Sequence, residues 1–175
     1  MRISAMEEYG LRALLCLARK AMITGDNSFA LTIPELSEEE GLSVPYASKI
    51  MRKLRQGGLV AASRGRIGGY HLTEAPEKIT LYRALVALGG PVMAANHCAR
   101  YSGVNPECVH LSGCTIRGAF GGLATYIENF LTKVTLADLT GEEEGAKRTI
   151  HNLASKAEAG TFKKIAGAGA RQSSK

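Results

Sequence analysis

Three cysteines in one short stretch are the residues of this sequence best suited to chemistry. Cys98, Cys108 and Cys114 are separated by nine and five residues, and His97 and His110 lie beside them. Thiolates are soft ligands that bind zinc and iron–sulfur clusters. The spacing is too wide for a zinc knuckle and no H-x-x-x-H pair follows, so an iron–sulfur cluster fits better. Three ordinary buried or surface thiols are the alternative.

A second group of residues is basic and clustered. The chain has 22 Lys and Arg against 16 Asp and Glu, a net charge of +6. From Lys49 to Leu72 there are six basic residues and no acidic one. Such a local excess favours a polyanionic partner, either nucleic acid or a membrane surface.

The elements that must position these residues begin with two short capping signals. Ser4-Ala5-Met6-Glu7 and Thr32-Ile33-Pro34-Glu35 are capping boxes, which predict the starts of a first and a second helix. We expect the second helix to end about Gly41. The spacing of the first helix predicts an apolar face made of Leu11, Leu14, Leu15, Ala18 and Met22.

A third helix and a hairpin follow. Ser43 is placed to cap this helix, which has a basic outer arc and an apolar face of Ala47, Ile50, Met51 and Leu54. Leu59 to Ser63 and Gly69 to Leu72 resemble two short strands around a basic, Gly-rich turn. Thr80 would cap a fourth helix through about Leu88. A short helix, an amphipathic helix and a basic hairpin in this order indicate a mainly α winged helix-turn-helix.

This arrangement assigns roles in DNA binding. The start of the third helix would enter the major groove and read base edges, while residues further along it meet phosphates and the wing tip meets the minor groove. A solvated helix face is the alternative reading of such charges. The predicted contacts are Ser43, Pro45, Tyr46, Ser48 and Lys49 at the helix start, Arg52, Lys53 and Arg55 further along, and Arg64 and Arg66 on the wing.

The segment after the cysteines predicts a dimer. Its apolar residues are spaced 4, 3, 4, 3 and 4 positions apart, which is the spacing of a coiled-coil seam. This spacing predicts that the helix pairs with a second helix. Gly121-Gly122 within it predicts a close helix crossing or a kink. The seam residues are Ile116, Phe120, Leu123, Ile127, Phe130 and Val134.

The domain organisation follows from these elements. We expect a DNA-binding domain over residues 1–90, then a cysteine loop and dimerisation helix over 91–140. The remainder, 141–175, is a polar tail with at most a short helix near 142–156 before a disordered end. Charged residues interrupt the apolar start of the chain, so we expect neither a signal peptide nor a membrane span, and a cytoplasmic protein.

On these motifs the chain resembles the Rrf-type winged-helix regulators, the family that includes the iron–sulfur sensors IscR and NsrR. The resemblance covers about residues 1–140. It is carried by Met1-Arg2-Ile3-Ser4, Tyr9, Leu11-Arg12-Ala13-Leu14, the segment from Ser43 to Leu59, Ser63-Arg64-Gly65, Gly68-Gly69-Tyr70, Ile79-Thr80-Leu81, the cysteine loop and Val134-Thr135-Leu136-Ala137-Asp138-Leu139.

The resemblance implies a homodimer on a palindromic DNA operator. It also implies that Cys98, Cys108 and Cys114 ligate a 4Fe-4S or 2Fe-2S cluster, whose damage by nitric oxide, oxygen or iron shortage changes DNA affinity. In some members an acid in the first helix of the other subunit is the fourth ligand, and Glu8 occupies that place here. In others it is a His three residues after the last Cys, where this chain has Arg117.

Other functions stay open at this point. No G-x-S-x-G, H-E-x-x-H or paired catalytic carboxylate pattern occurs, so we do not expect an enzyme. A winged-helix regulator with a thiol switch or a structural zinc is one alternative to the cluster-controlled repressor, and an iron–sulfur electron carrier is another. Glu8 could instead form an i, i+4 ion pair with Arg12, and we expect Cys16 to be a buried thiol.

Overall fold

The computed structural model describes residues 3–26, 29–63, 68–90, 104–105, 107–110 and 113–155. None of the helices in these ranges combines the length and the apolarity that crossing a bilayer requires. The principal elements are α1 (Ala5–Thr24), α2 (Ile33–Glu39), α3 (Val44–Gln56), β1 (Val60–Ser63), β2 (Gly69–Leu72), α4 (Leu81–Gly89), α5 (Thr115–Leu131) and α6 (143–155).

The helix starts follow from local hydrogen bonds. At α1 the Ser4 backbone N–H donates to Glu7 Oε2 over 2.7 Å, and the Glu7 N–H donates to Ser4 Oγ over 3.3 Å. Thr32 and Glu35 form the same pair of bonds at α2. Both predicted capping boxes are therefore confirmed. Ser43 is the N-cap residue of α3 as predicted, but its side chain makes no capping hydrogen bond.

The apolar face of α3 is confirmed, because its four predicted residues are each at most 1% exposed. The predicted face of α1 is partly wrong. Met22 is 48% exposed, and Leu17 is buried although the spacing did not include it. The reason is that α1 packs against both α3 and α4, so its buried arc is wider than one stripe. Gly10 permits the close approach of α4, since a Cβ there would overlap the Leu88 side chain.

The wing is a two-stranded antiparallel sheet in which Val60 pairs with Leu72 and Ser63 with Gly69. A third segment joins it: Leu31 and Tyr70 exchange two backbone hydrogen bonds of 2.9 and 2.8 Å. The spacing did not predict this bridge, which ties the wing to the start of the helix-turn-helix. The wing-tip residues Arg64 and Arg66 lie outside the described residues.

The chain returns to the core after α5. The Leu81 N–H donates to the Val134 carbonyl over 2.8 Å, and the Leu136 N–H donates to the Ile79 carbonyl over 2.9 Å. Val134 was predicted to lie in the dimer seam, and the structure corrects this: it follows the end of α5 and is 0% exposed within its own protomer. A residue so buried has no surface left for a partner. The segment instead fixes the end of α5 to the start of α4.

The described part of the tail, residues 141–155, agrees with the sequence prediction. Helix α6 over 143–155 lies within the short helix that was predicted near 142–156. The predicted disordered end falls on residues 156–175, outside the described part of the chain.

Candidate nucleic-acid interface and cysteine site

A groove of about 440 Å³ lies between the outer face of α3 and the wing. Its lining contains three cationic side chains and no acidic one. Five of the six lining residues are predicted DNA contacts, and Tyr70 of β2 is an addition that the sequence did not single out. Alternation along β2 places Tyr70 on the same side as the buried Leu72. The sequence pattern alone therefore indicates packing against the core and not a place in the groove. The lining residues are Pro45, Ser48, Lys49, Arg52, Arg55 and Tyr70.

The first turn of α3 is presented to solvent. Pro45, Ser48 and Lys49 are exposed, while Ala47 and Ile50 on the opposite face are 0% exposed. The buried face fixes the rotation of the helix, so the exposed turn has a defined direction. The backbone N–H groups at this end have no intrahelical partner, which suits an anionic ligand.

Two predicted DNA contacts have partners inside the protein. Tyr46 is half-buried, and its ring meets the ring of Tyr9 edge-on, with centroids 6.1 Å apart and an interplanar angle of 87°. This contact fixes α3 against α1. Lys53 is also half-buried, and its ammonium donates a hydrogen bond to the Leu88 carbonyl at the end of α4 over 2.9 Å. Neither residue lines the groove.

Cys114 is the N-cap residue of α5, and its Sγ accepts a hydrogen bond from the Arg117 backbone N–H over 3.4 Å. Cys108 and Cys114 are both half-buried. The Arg117 guanidinium donates to the His110 carbonyl over 3.2 Å, which fixes one described turn of the cysteine segment to α5. No group of three potential metal ligands occurs among the described residues. Cys98 and His97 are not among them.

Glu8 forms the i, i+4 ion pair that the sequence offered as its alternative role. Arg12 Nη2 lies 2.9 Å from Glu8 Oε1, and both side chains are about half exposed. The Arg12 guanidinium also lies over the Tyr9 ring, 5.6 Å from its centroid. Glu8 is thus held on an accessible face of α1.

Cys16 has surroundings different from those of Cys108 and Cys114. It is 5% exposed, as the sequence predicted, and its Sγ–H donates to Glu39 Oε2 over 2.7 Å. Lys20 Nζ lies 2.9 Å from the other oxygen of the same carboxylate. Burial, followed by the hydrogen bond to Glu39, raises the pKa of the Cys16 thiol to about 12. The neutral thiol is therefore a structural donor that joins α1 to α2.

Helix α5 exposes an apolar strip. Ile116, Phe120 and Leu123 are 62%, 41% and 48% exposed, and Ile127 and Phe130 are half-buried. The helix is continuous through Gly121-Gly122. Apart from the adjoining residues and the helix's own backbone, no described atom of the protomer lies within 4 Å of an added Cβ at either glycine. Exposed apolar side chains grouped on one helix are typical of an interaction site.

Comparisons with known proteins agree with this architecture. The model of the Rrf2 family, an iron-dependent transcriptional regulator family, matches residues 3–142. The chain is similar to an rrf2-like regulator of Rhodobacter capsulatus, with 30% identity over 152 residues, covering 86% of this chain and 99% of the relative. It is also 28% identical to IscR of Erwinia tasmaniensis over 144 residues, covering 82% of this chain and 81% of IscR.

Solved structures show the same fold. CymR (YrzC), the global cysteine regulator of B. subtilis, is 25% identical with a TM-score of 0.63, covering 80% of this chain and 96% of CymR. IscR of T. potens is 24% identical with a TM-score of 0.60, covering 79% and 85%. The mainly α winged-helix prediction is confirmed, and the relatives are regulators rather than enzymes. The chain belongs to the Rrf2 family of transcriptional regulators.

Proposed function

We propose that this chain is a homodimeric repressor whose affinity for a palindromic operator is controlled by an iron–sulfur cluster. The ligands would be Cys98, Cys108 and Cys114, with Glu8 of the partner subunit as the fourth. The observation that carries the DNA-binding part is the cationic groove between α3 and the wing, which presents three positive side chains and no negative one. The observation that supports the sensing part is the place of Cys114 at the first turn of an exposed apolar helix.

The groove suggests how each head would bind DNA. The exposed first turn of α3 is narrow enough to enter the major groove, where Ser48 and Lys49 would meet base edges. Arg52 and Arg55 lie further along the same groove lining and would meet phosphates, which fixes the register of the head on the duplex. Arg64 and Arg66 remain candidates for the minor groove.

The apolar strip of α5 supports the dimer. Two copies of this helix would bury Ile116, Phe120 and Leu123 against each other, removing the large exposed apolar side chains of α5 from water. A twofold axis through this contact repeats the DNA-reading head, and a palindromic operator is the DNA sequence that matches such symmetry.

The cysteine donors fit a cluster chemically. Sulfur ligands select iron–sulfur clusters, and backbone N–H donation to sulfur, such as that from Arg117 to Cys114, stabilises the negative charge of a ligating thiolate. When bound, the cluster supplies a centre that nitric oxide, oxygen or iron shortage can damage. Cys114 is covalently next to the first turn of α5, so ligation would order the start of the dimer helix.

A thiol-controlled regulator is the second candidate. The fold is similar to that of CymR, which is a cysteine regulator, and Cys108 and Cys114 are only half-buried. Oxidation or a structural zinc at these two thiols would then replace the cluster as the switch. Cys16 does not suit this role, because its thiol is buried and stays protonated at physiological pH.

Anaerobic purification separates the two candidates. We expect the parent protein to be coloured and to contain iron and acid-labile sulfide, Cys114→Ser to lose most of both, and Cys16→Ser to retain both as the matched control. Ser at position 16 keeps a hydroxyl donor for Glu39, so this control should fold. Colourless parent protein without iron or sulfide would leave the thiol or zinc switch. Unchanged iron and sulfide in Cys114→Ser would contradict the ligand assignment.

A further inference from the structure

We propose that Lys53 is a positioning residue that connects the recognition helix α3 to the end of α4, instead of a ligand for DNA phosphate. The inference rests on the proposed function and concerns how a change near the cysteines would reach the DNA-reading surface. It reverses the role that the sequence alone assigned to this lysine.

The hydrogen bond of Lys53 goes to a particular carbonyl. Its Nζ lies 2.9 Å from the oxygen of Leu88, in the last turn of α4, which ends at Gly89. Carbonyls in the last turn of a helix have no intrahelical N–H partner, and the negative end of the helix dipole favours a cation there. The ammonium of Lys53 therefore caps α4 from a neighbouring helix.

The same turn of α4 is packed on both sides. A Cβ at Gly57, just after α3, would overlap the methyl group of Ala87, so only Gly permits this approach of the two helices. A Cβ at Gly89 would overlap the carboxylate of Glu7 on α1. The last turn of α4 thus contacts both α3 and α1, although Gly89 itself is exposed.

Helix α4 also joins the two regions that a sensor must connect. Its first residue, Leu81, is hydrogen-bonded to Val134 in the segment that follows the dimer helix. Its last residues lead along the chain toward Cys98, which comes eight residues after the C-cap Gly90. Lys53 is the polar contact through which a displacement of α4 would be passed to the recognition helix.

The test compares Lys53→Met with Arg52→Met on a DNA duplex that the protein selects from a random library. Both changes replace one cation of α3 with an unbranched apolar side chain, and Arg52 lines the groove as a proposed phosphate contact. Operator affinity is measured against salt concentration, for cluster-loaded and metal-stripped protein. Lys53→Arg is included because its guanidinium can still donate to the Leu88 carbonyl.

We expect Lys53→Met to bind DNA about tenfold more weakly with an unchanged salt slope, and to lose most of the difference between loaded and stripped protein. Lys53→Arg should restore both. Arg52→Met should lower the salt slope by about 2, roughly 0.9 per phosphate contact in each of the two heads. The ratio of the affinities of loaded and stripped protein should stay unchanged.

The inference is overturned if Lys53→Met lowers the salt slope as Arg52→Met does, or if it keeps the parent's ratio of affinities between loaded and stripped protein. If the parent protein binds the operator equally tightly when it is cluster-loaded and when it is metal-stripped, the proposed sensing function is contradicted instead. The comparison of salt slopes would still decide whether Lys53 binds phosphate or positions α4.

Discussion

At the scale of single residues, surroundings separate the thiols of this chain into two kinds. Cys16 is buried and donates its proton to Glu39, whereas Cys114 is half-buried at a helix start and accepts a hydrogen bond from Arg117. The first arrangement favours the neutral thiol, whereas in the second the sulfur is a hydrogen-bond acceptor. The sequence predicted this division from position alone, but it could not identify Glu39 as the partner, because that contact spans 23 residues.

Removing the acceptor of Cys16 tests its structural role. We expect Glu39→Ala to lower the free energy of unfolding by about 1 kcal/mol, at the low end for an unpaired buried donor because Glu39 is partly exposed. Iodoacetamide should also label Cys16 faster in this variant, as detected by peptide mass spectrometry. The neighbouring Glu38→Ala is the control. Equal labelling rates in the two variants would show that the Glu39 contact does not protect the thiol.

The raised pKa of Cys16 gives stability a defined pH dependence. The native thiol ionises near 12 instead of 9.0, so its contribution to stability is complete below about pH 9 and is lost as pH rises toward 12. We expect the free energy of unfolding in urea to fall more between about pH 8 and about pH 10.5 for the parent than for Cys16→Ser. Identical decreases in the two proteins would rule out this linkage.

At the scale of elements, apolar periodicity and capping residues predicted the helices and strands whose signals are local in the sequence. The buried face of α3 and both strands of the wing could be predicted because their signals lie within a few neighbouring residues. The Leu31–Tyr70 bridge and the pairing of Leu81 with Val134 could not, since each joins segments that are distant along the chain and leave no repeating pattern. For the same reason the spacing extended the dimer seam one step too far, to Val134.

Gly69 tests the attachment of the wing. A Cβ at this position would lie 2.7 Å from the Leu31 carbonyl oxygen, so Gly69→Ala must displace the bridge between the wing and the segment before α2. We expect a loss of about 1–3 kcal/mol in the free energy of unfolding, measured by chemical denaturation. Gly141→Ala is the control, because no described atom beyond its two chain neighbours lies within 4 Å of a Cβ there. If Gly69→Ala has the same free energy of unfolding as the parent, the wing packs less tightly than described.

The exposed strip of α5 makes oligomeric state a direct test of the dimer. We expect Phe120→Asp and Leu123→Asp each to give a folded monomer, because the proposed contact between two α5 helices would have to bury the new carboxylate. Light scattering with size-exclusion chromatography measures this. Ile23→Asp, which replaces another exposed apolar side chain at 82% exposure on α1, should remain dimeric. A dimer in all three variants would place the interface elsewhere.

At the scale of the whole molecule, α4 lies along the chain between the wing and the proposed cysteine sensor. Its start is hydrogen-bonded to the segment after α5, and its end is hydrogen-bonded to Lys53 of α3. In the proposed function, a change in the cysteine segment or at the proposed dimer contact would reach α3 through this helix. Such an arrangement can couple two sites by roughly 1–3 kcal/mol.

The most direct test of the cluster-controlled regulator is operator affinity before and after removal of iron from one anaerobic preparation. Fluorescence anisotropy with a duplex selected by the protein gives both dissociation constants under identical salt. We expect them to differ by about 5- to 150-fold, the range that such a coupling energy produces. Equal dissociation constants for protein that has demonstrably lost its iron and sulfide would contradict the central claim and leave a regulator that does not respond to a cluster.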